Sequence, residues 1–229
     1  MKHLFCFCFL FICLTGVLAA RQWTAPEGET LRYAVNWPSG LSLGEAELKA
    51  FRDGDLWRFS LGLEAAVPGF AIADRYSSAA GVDLCTVEFE KRISHGKESA
   101  GERATFHQAS GAARRETIGG GASEFSIPAC AKDALAFLFY LRRELAEGRL
   151  PPPQTVFFGA PYQISMEYGG RQKMVAGEQS FDCDRIMARA KGPASETSFE
   201  IFFAREPERR PVMFRLSLPL GSFSMELIP

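Results

Sequence analysis

The sequence predicts a mainly β protein, in which an antiparallel sheet forms a half-barrel around one buried helix at about residues 131–147. Three observations predict it. Short segments alternate apolar and polar residues and are separated by turn residues, the period-2 mark of half-buried strands. One segment alone has helical composition, and it is apolar nearly all round. The N-terminal apolar run ends in a cleavage pattern, which sets it apart from the rest of the chain.

The strands begin at Thr30–Trp37, where Leu31, Tyr33, Val35 and Trp37 share one face. Pro38-Ser39-Gly40 turns the chain into Leu43–Phe51, and Asp53-Gly54-Asp55 signals a tight hairpin before Leu56–Leu63. The rhythm continues through Ile72–Ser78, Cys85–Ser94, Ser99–His107, Ala112–Ile118 and Phe125–Ile127, with Gly119-Gly120-Gly121 between the last two. After the helix it resumes at Thr155–Phe158, Tyr162–Tyr168, Gln172–Glu178, Phe181–Ala190, Phe199–Ala204, Val212–Leu218 and Phe223–Leu227. Gly169-Gly170 and Gly192-Pro193 mark turns. Arg205–Arg210 reads as a solvated charged loop.

Lys132–Glu147 is rich in helix formers and holds neither glycine nor proline. Asp133 suits the positive first turn, and Arg142 and Arg143 suit the later part. Gly148 closes the helix, and Pro151-Pro152-Pro153 prevents its continuation. Leu135, Phe137, Leu138, Phe139, Tyr140 and Leu141 spread around most of the circumference, so the helix is expected in the concave face of the sheet, as a plug. Phe137, Leu138, Tyr140 and Leu141 are the candidate lining of an apolar cavity.

The chain opens Met1-Lys2-His3, runs apolar from Leu4 to Leu14, and continues Gly16-Val17-Leu18-Ala19-Ala20. This is the build of a secretory signal peptide, residues 1–20. Val17 and Ala19 fit the −3 and −1 positions if cleavage follows Ala19, whereas cleavage after Ala20 places Leu18 at −3. The competing membrane anchor would need a run of roughly 18 residues. Cys13 raises a lipoprotein as a third possibility, but Phe11 and Ile12 before it are not small. No later segment is apolar over a spanning length. The mature chain, 21–229, is read as one β-rich domain in the periplasm or secreted.

The 229 residues carry a formal net charge of −1, which favours neither nucleic acid nor an anionic surface as a partner. Twenty phenylalanines leave apolar surface to spare for a cavity. Removing the leader takes Cys6, Cys8 and Cys13 with it, leaving Cys85, Cys130 and Cys183. Three thiols in an oxidising compartment allow one disulfide and one leftover. Cys85 and Cys130, each at the edge of an element, are the preferred pair, and Cys183 reads as a small core hydrophobe.

Signatures of catalysis, metal binding and phosphate binding are missing from the sequence. Asp182 and Asp184 share a strand face and could serve hydrolysis, but the reading as solvated carboxylates on an exposed strand edge is preferred. His95, in the polar turn Ser94-His95-Gly96-Lys97, reads as a surface histidine, and His107 at a strand end has no ligand partner nearby. No catalytic residue, cofactor or metal is assigned, and the expectation is a protein that is not an enzyme.

Several motifs carry a resemblance. Gly28-Glu29-Thr30-Leu31-Arg32-Tyr33 is followed by Gly44-Glu45-Ala46, then by the helix with Tyr140-Leu141-Arg142. Phe202-Phe203-Ala204-Arg205, Arg210-Pro211-Val212 and Gly221-Ser222-Phe223 close the chain. In this order they resemble the exported bacterial family known as domain of unknown function 3108. The resemblance implies an envelope protein without assigned activity, whose open, strongly bent sheet around a helix is similar in outline to periplasmic lipoprotein carriers. Two functions are carried forward: a half-barrel that holds an apolar small molecule or lipid, or a structural component of the envelope whose exposed sheet edges pair with another protein.

Overall fold

A computed structural model describes residues 28–67, 69–218 and 221–229. The predicted leader, its cleavage positions Ala19 and Ala20, and Cys6, Cys8 and Cys13 lie outside the described residues. Eight strands precede the helix: β1 (Glu29–Asn36), β2 (Ser42–Asp53), β3 (Leu56–Val67), β4 (Phe70–Ala80), β5 (Thr86–His95), β6 (Glu98–His107), β7 (Ala112–Thr117) and β8 (Ala122–Ser126). A two-residue strand, β9 (Lys132–Asp133), leads into α1 (Ala134–Ala146). Then come β10 (Gln154–Phe157), β11 (Pro161–Ala176), β12 (Gln179–Lys191), β13 (Glu196–Ala204), β14 (Pro211–Leu218) and β15 (Gly221–Ile228).

These strands form one sheet in the order β8-β7-β6-β5-β4-β3-β2-β1-β15-β14-β13-β12-β11-β10-β9, so a central β1–β15 pair joins the two meanders. Every neighbouring pair is antiparallel except β9–β10. The sheet stays open, with β8 and β9 as its edges. Alternation decides which side faces in: on β1, Leu31, Tyr33 and Val35 are buried while Arg32 is exposed. Gly169-Gly170 does not separate two strands. β11 runs through it as one 16-residue strand with a bulge between Tyr168 and Arg171, because the partner strand β12 is long enough to pair on both sides.

The sheet curls until β9 meets β5, and there side chains take over from the backbone ladder. One backbone bond crosses, from the Thr86 amide to the Ala131 carbonyl at 2.9 Å. The Gln108 side chain straddles the junction: its amide donates to the carbonyls of Thr86 (2.6 Å) and Ala131 (3.0 Å), and its oxygen accepts from the Ala131 amide (3.0 Å). Asp133 is buried here and accepts from the Ser78 and Thr86 hydroxyls at 2.5 and 2.6 Å. A disulfide between Cys85 and Cys130 ties the same two segments. Leu84 and Cys130, on either side of the junction, both hold positive φ (66° and 52°), a cost of about 1–3 kcal/mol each that the surrounding bonds sustain. Beyond the seam, β6–β8 continue as a flap whose Phe106 and Phe125 pack on Phe157 at ring distances of 5.5 Å.

The helix starts two residues inside the predicted Lys132–Glu147 because Asp133 is its N-cap, its carboxylate accepting from the Leu135 and Ala136 amides at 2.8 and 3.2 Å. It ends on Gly148 at φ 75°, where the Arg149 amide reaches the Glu144 carbonyl. Phe139 stacks on Phe59 with centroids 4.2 Å apart. Arg142, expected merely to suit the helix C-terminus, is fully buried. It grips Glu29 with two bonds of 2.6 and 2.9 Å, donates to the Glu208 carbonyl, and lies 4.8 Å over the Phe139 ring.

The charged loop at Arg205–Arg210 is therefore more than a solvated turn: it supplies that carbonyl, and its Arg209 donates to Asp184 at 2.7 Å. Cys183 is a free, buried thiol, pushed up to about 12 by burial and then by the charges of Asp182 and Asp184.

The disulfide closes a loop with a sequence separation of 45, so the Cys85→Ser/Cys130→Ser double variant is expected to lose about 4 kcal/mol of stability in urea unfolding.

Candidate functional site

Between the helix and the concave face lies a cavity of about 330 Å³. The helix lines it with Ala134, Leu135, Phe137, Leu138 and Leu141, which fall on one arc of the helical surface. Facing them are inward residues of strands on both sides of the seam: Leu48 and Leu61 from β2 and β3, Ile164 and Met166 from β11, Phe199 and Ile201 from β13, and Phe214 from β14. The helix presents these residues inward because Asp133, held in the seam, sets where its first turn begins.

Three of the four predicted lining residues are in the wall. Tyr140 is not: it lies about 60° past Phe137 around the helix, beyond the cavity arc. Its ring sits between the Lys132 ammonium, 4.5 Å away, and the Arg143 guanidinium, 5.1 Å away.

The polar groups at the wall are already engaged. The Tyr33 hydroxyl donates to the Pro211 carbonyl at 2.9 Å. The Tyr76 hydroxyl donates to Asp74 at 3.0 Å, and burial, then the Asp74 charge, raises the phenol so that it stays a donor. Arg215 borders the cavity and is paired with Glu200 at 3.1 Å. Among the described residues, the wall offers dispersion contacts and no free ion.

Burial along the strands shows where the cavity opens. On β3, Phe59 is buried while Leu61 and Leu63 are half-buried; on β13, Phe203 and Ile201 are buried while Phe199 is half-buried; on β15, Leu227 is buried while Met225 and Phe223 are half-buried. In each strand burial falls toward the rim that carries the β1–β2, β3–β4 and β14–β15 turns. The other rim is closed by Trp57, Phe181, Val212 and the Arg142–Glu29 pair.

The remaining predicted residues do not converge on this cavity. Asp182 and Asp184 lie on β12, between β11 and β13, and not on a sheet edge. Asp184 is buried under Tyr168 and Arg209, while Asp182 is exposed. His95 ends β5 and bonds Asp74 at 2.9 Å, so it is half-buried and not a free surface histidine. His107 ends β6 at the opposite rim. Among the described residues, one group has the geometry to hold a metal ion, Asp83 with Cys85 and Cys130, and its sulfurs are bonded to each other. Missed by sequence reasoning were the strand-borne lining residues, which the alternation could have yielded; Asp74, whose partners Tyr76 and His95 lie on its own and the neighbouring strand; and Ser78 and Thr86, whose roles depend on a junction between distant segments.

A barrel-like antiparallel sheet left open at one seam, with a helix in its concave face and an apolar hollow beside it, is the class that fold and site define. The chain belongs to the DUF3108 family, described as a protein of unknown function, whose model matches residues 32–228. No curated protein matches it. Its fold is similar to that of the β-barrel-like protein of domain of unknown function DUF1849 from Brucella abortus, with a TM-score of 0.65 at 7% identity over 90% of this chain and 97% of that one. Two further solved structures align at lower scores. A candidate lipoprotein from Parabacteroides distasonis gives 0.36 at 8% identity, over 90% of this chain and 95% of that one. A candidate exported protein with a YmcC-like fold from Bacteroides fragilis gives 0.34 at 11% identity, over 90% and 96%.

Burial raises the Asp133 carboxyl against the pull of its four donors. A carboxyl raised on folding contributes most below its ordinary value of about 4, and that contribution is lost as pH rises through the folded value. Asp133→Asn cannot titrate there. Urea unfolding across pH 3–7 is expected to show wild type losing stability relative to Asp133→Asn as pH increases.

Proposed function

We propose that the chain acts outside the cytoplasm as a binding protein that holds one apolar chain, such as a lipid acyl chain, in this cavity and does not transform it. The observation that carries this reading is the hollow itself. A hollow of about 330 Å³, walled by hydrocarbon and open at one rim, leaves that apolar surface against water unless an apolar molecule covers it. Larger residues at Ala134 and Ala188 could have filled it. Its size falls at the lower end of ligand pockets, and its lack of free polar groups suits a hydrocarbon chain better than a polar molecule. The predicted leader supports an extracytoplasmic site.

The test is titration of the delipidated protein with the dye N-phenylnaphthylamine, followed by competition with palmitate. Saturable binding to one site, displaced by palmitate, is expected. Ala188→Phe, which projects a ring into the cavity, is expected to weaken it at least tenfold with little change in stability. A protein that ignores the dye, or a variant that binds as well as wild type, would falsify the reading.

A further inference from the structure

The two rims of the sheet differ in composition. At the open rim, three turns stand on six consecutive strands of the sheet order, β4-β3-β2-β1-β15-β14. The described residues that flank these turns, 36–44, 65–67, 69–73, 216–218 and 221–225, include no aspartate, glutamate, lysine, arginine or histidine. The opposite rim carries Arg52, Asp53 and Asp55 at the β2–β3 turn and Arg205–Arg210 between β13 and β14.

The β5–β6 turn, next to β4 at the same rim, carries His95, Lys97 and Glu98, so the uncharged stretch is an arc of the rim. That arc exposes large apolar side chains, Leu41 at 61% and Phe70 at 44%, the latter beside His95. Beside them, Trp37 meets Phe223 edge-on at 4.6 Å, and both are half-buried. A water-facing rim has no physical reason to lack charge over three adjacent turns. Apolar tips flanked by an amphipathic indole match the boundary between headgroups and hydrocarbon.

We propose that this rim seats on a lipid bilayer, with Leu41 and Phe70 entering the hydrocarbon boundary and Trp37 at headgroup level. The occupant is a bilayer and not a protein because the tips are separate protrusions with no charge to set a partner's register, whereas protein interfaces have a polar rim around a packed core. The cavity mouth then faces the membrane. Bilayer contact stands whether or not the cavity holds a chain.

The experiment is flotation of the exported, purified protein with phosphatidylcholine vesicles, all variants keeping the same N-terminus. Wild type is expected to float, unaffected by 0.5 M salt, since the contacting arc itself carries no charged side chain. Leu41→Ser/Phe70→Ser is expected to lower the bound fraction at least tenfold, while retaining wild-type stability and dye binding in the cavity. Val175→Ser, an exposed site at the charged rim, is expected to change nothing. A blue shift of tryptophan emission on vesicles is expected to be lost in Trp37→Phe. Wild type that stays unbound, a double variant that floats equally well, or binding abolished by salt would each overturn the proposal. So would a rim whose substitutions remove a protein partner while wild type ignores vesicles.

Discussion

The Asp133 carboxylate accepts hydrogen bonds from three parts of the chain: the Ser78 hydroxyl of β4, the Thr86 hydroxyl of β5, and two amides in the first turn of its own helix. A carboxylate without a counter-ion is costly to bury unless its lone pairs are satisfied. Those partners are present only when the edge strand β9 has curled round to meet β4 and β5. The bonds therefore specify closure. They also specify where the ladder stops, because the residue after Asp133 is already helical and offers no further strand to pair. Gln108 and the Cys85–Cys130 bridge hold the same junction from either side.

From that seam follows the placement of the helix, and from the helix the hollow. The N-cap sets the first turn; at the other end Arg142, paired with Glu29 and the Glu208 carbonyl, draws the helix C-terminal half against β1 and the β13–β14 loop. A buried guanidinium tolerates this because its donors meet a carboxylate in bidentate fashion and a carbonyl besides. Held at both ends, α1 cannot sink further into the sheet. Phe139 fills the space against Phe59, while the arc from Leu135 to Leu141 stands off from β11, β13 and β14. The cavity is the distance that these two anchors maintain.

Much of this arrangement was legible in sequence. Period-2 alternation marked the strands to within a few residues, since Leu31, Tyr33 and Val35 leave no other face to bury. The apolar circumference of the helix marked it as internal, and Phe137, Leu138 and Leu141 as lining. Local signals failed where long-range contacts decide. Gly169-Gly170 reads as a turn in isolation, but pairing with β12 carries the strand through as a bulge. Tyr140 is apolar enough for the cavity, yet two nearby cations hold its ring elsewhere. Nothing near Asp133 in sequence announces Ser78 or Thr86, and nothing near Arg142 announces Glu29, because each partnership spans dozens of residues.

The DUF1849 protein shares the fold at 7% identity, so this architecture tolerates wholesale change of side chains and does not itself specify a ligand. If the hollow is a binding site and not a packing defect, the exported protein carries an occupant. Native mass spectrometry of the protein exported in its own host and purified without detergent addresses this most directly. The expected result is a population heavier than the processed chain by the mass of one acyl-chain-bearing molecule, released as lipid on activation. A single species at the mass of the bare chain, even from envelope extracts rich in lipid, would contradict it.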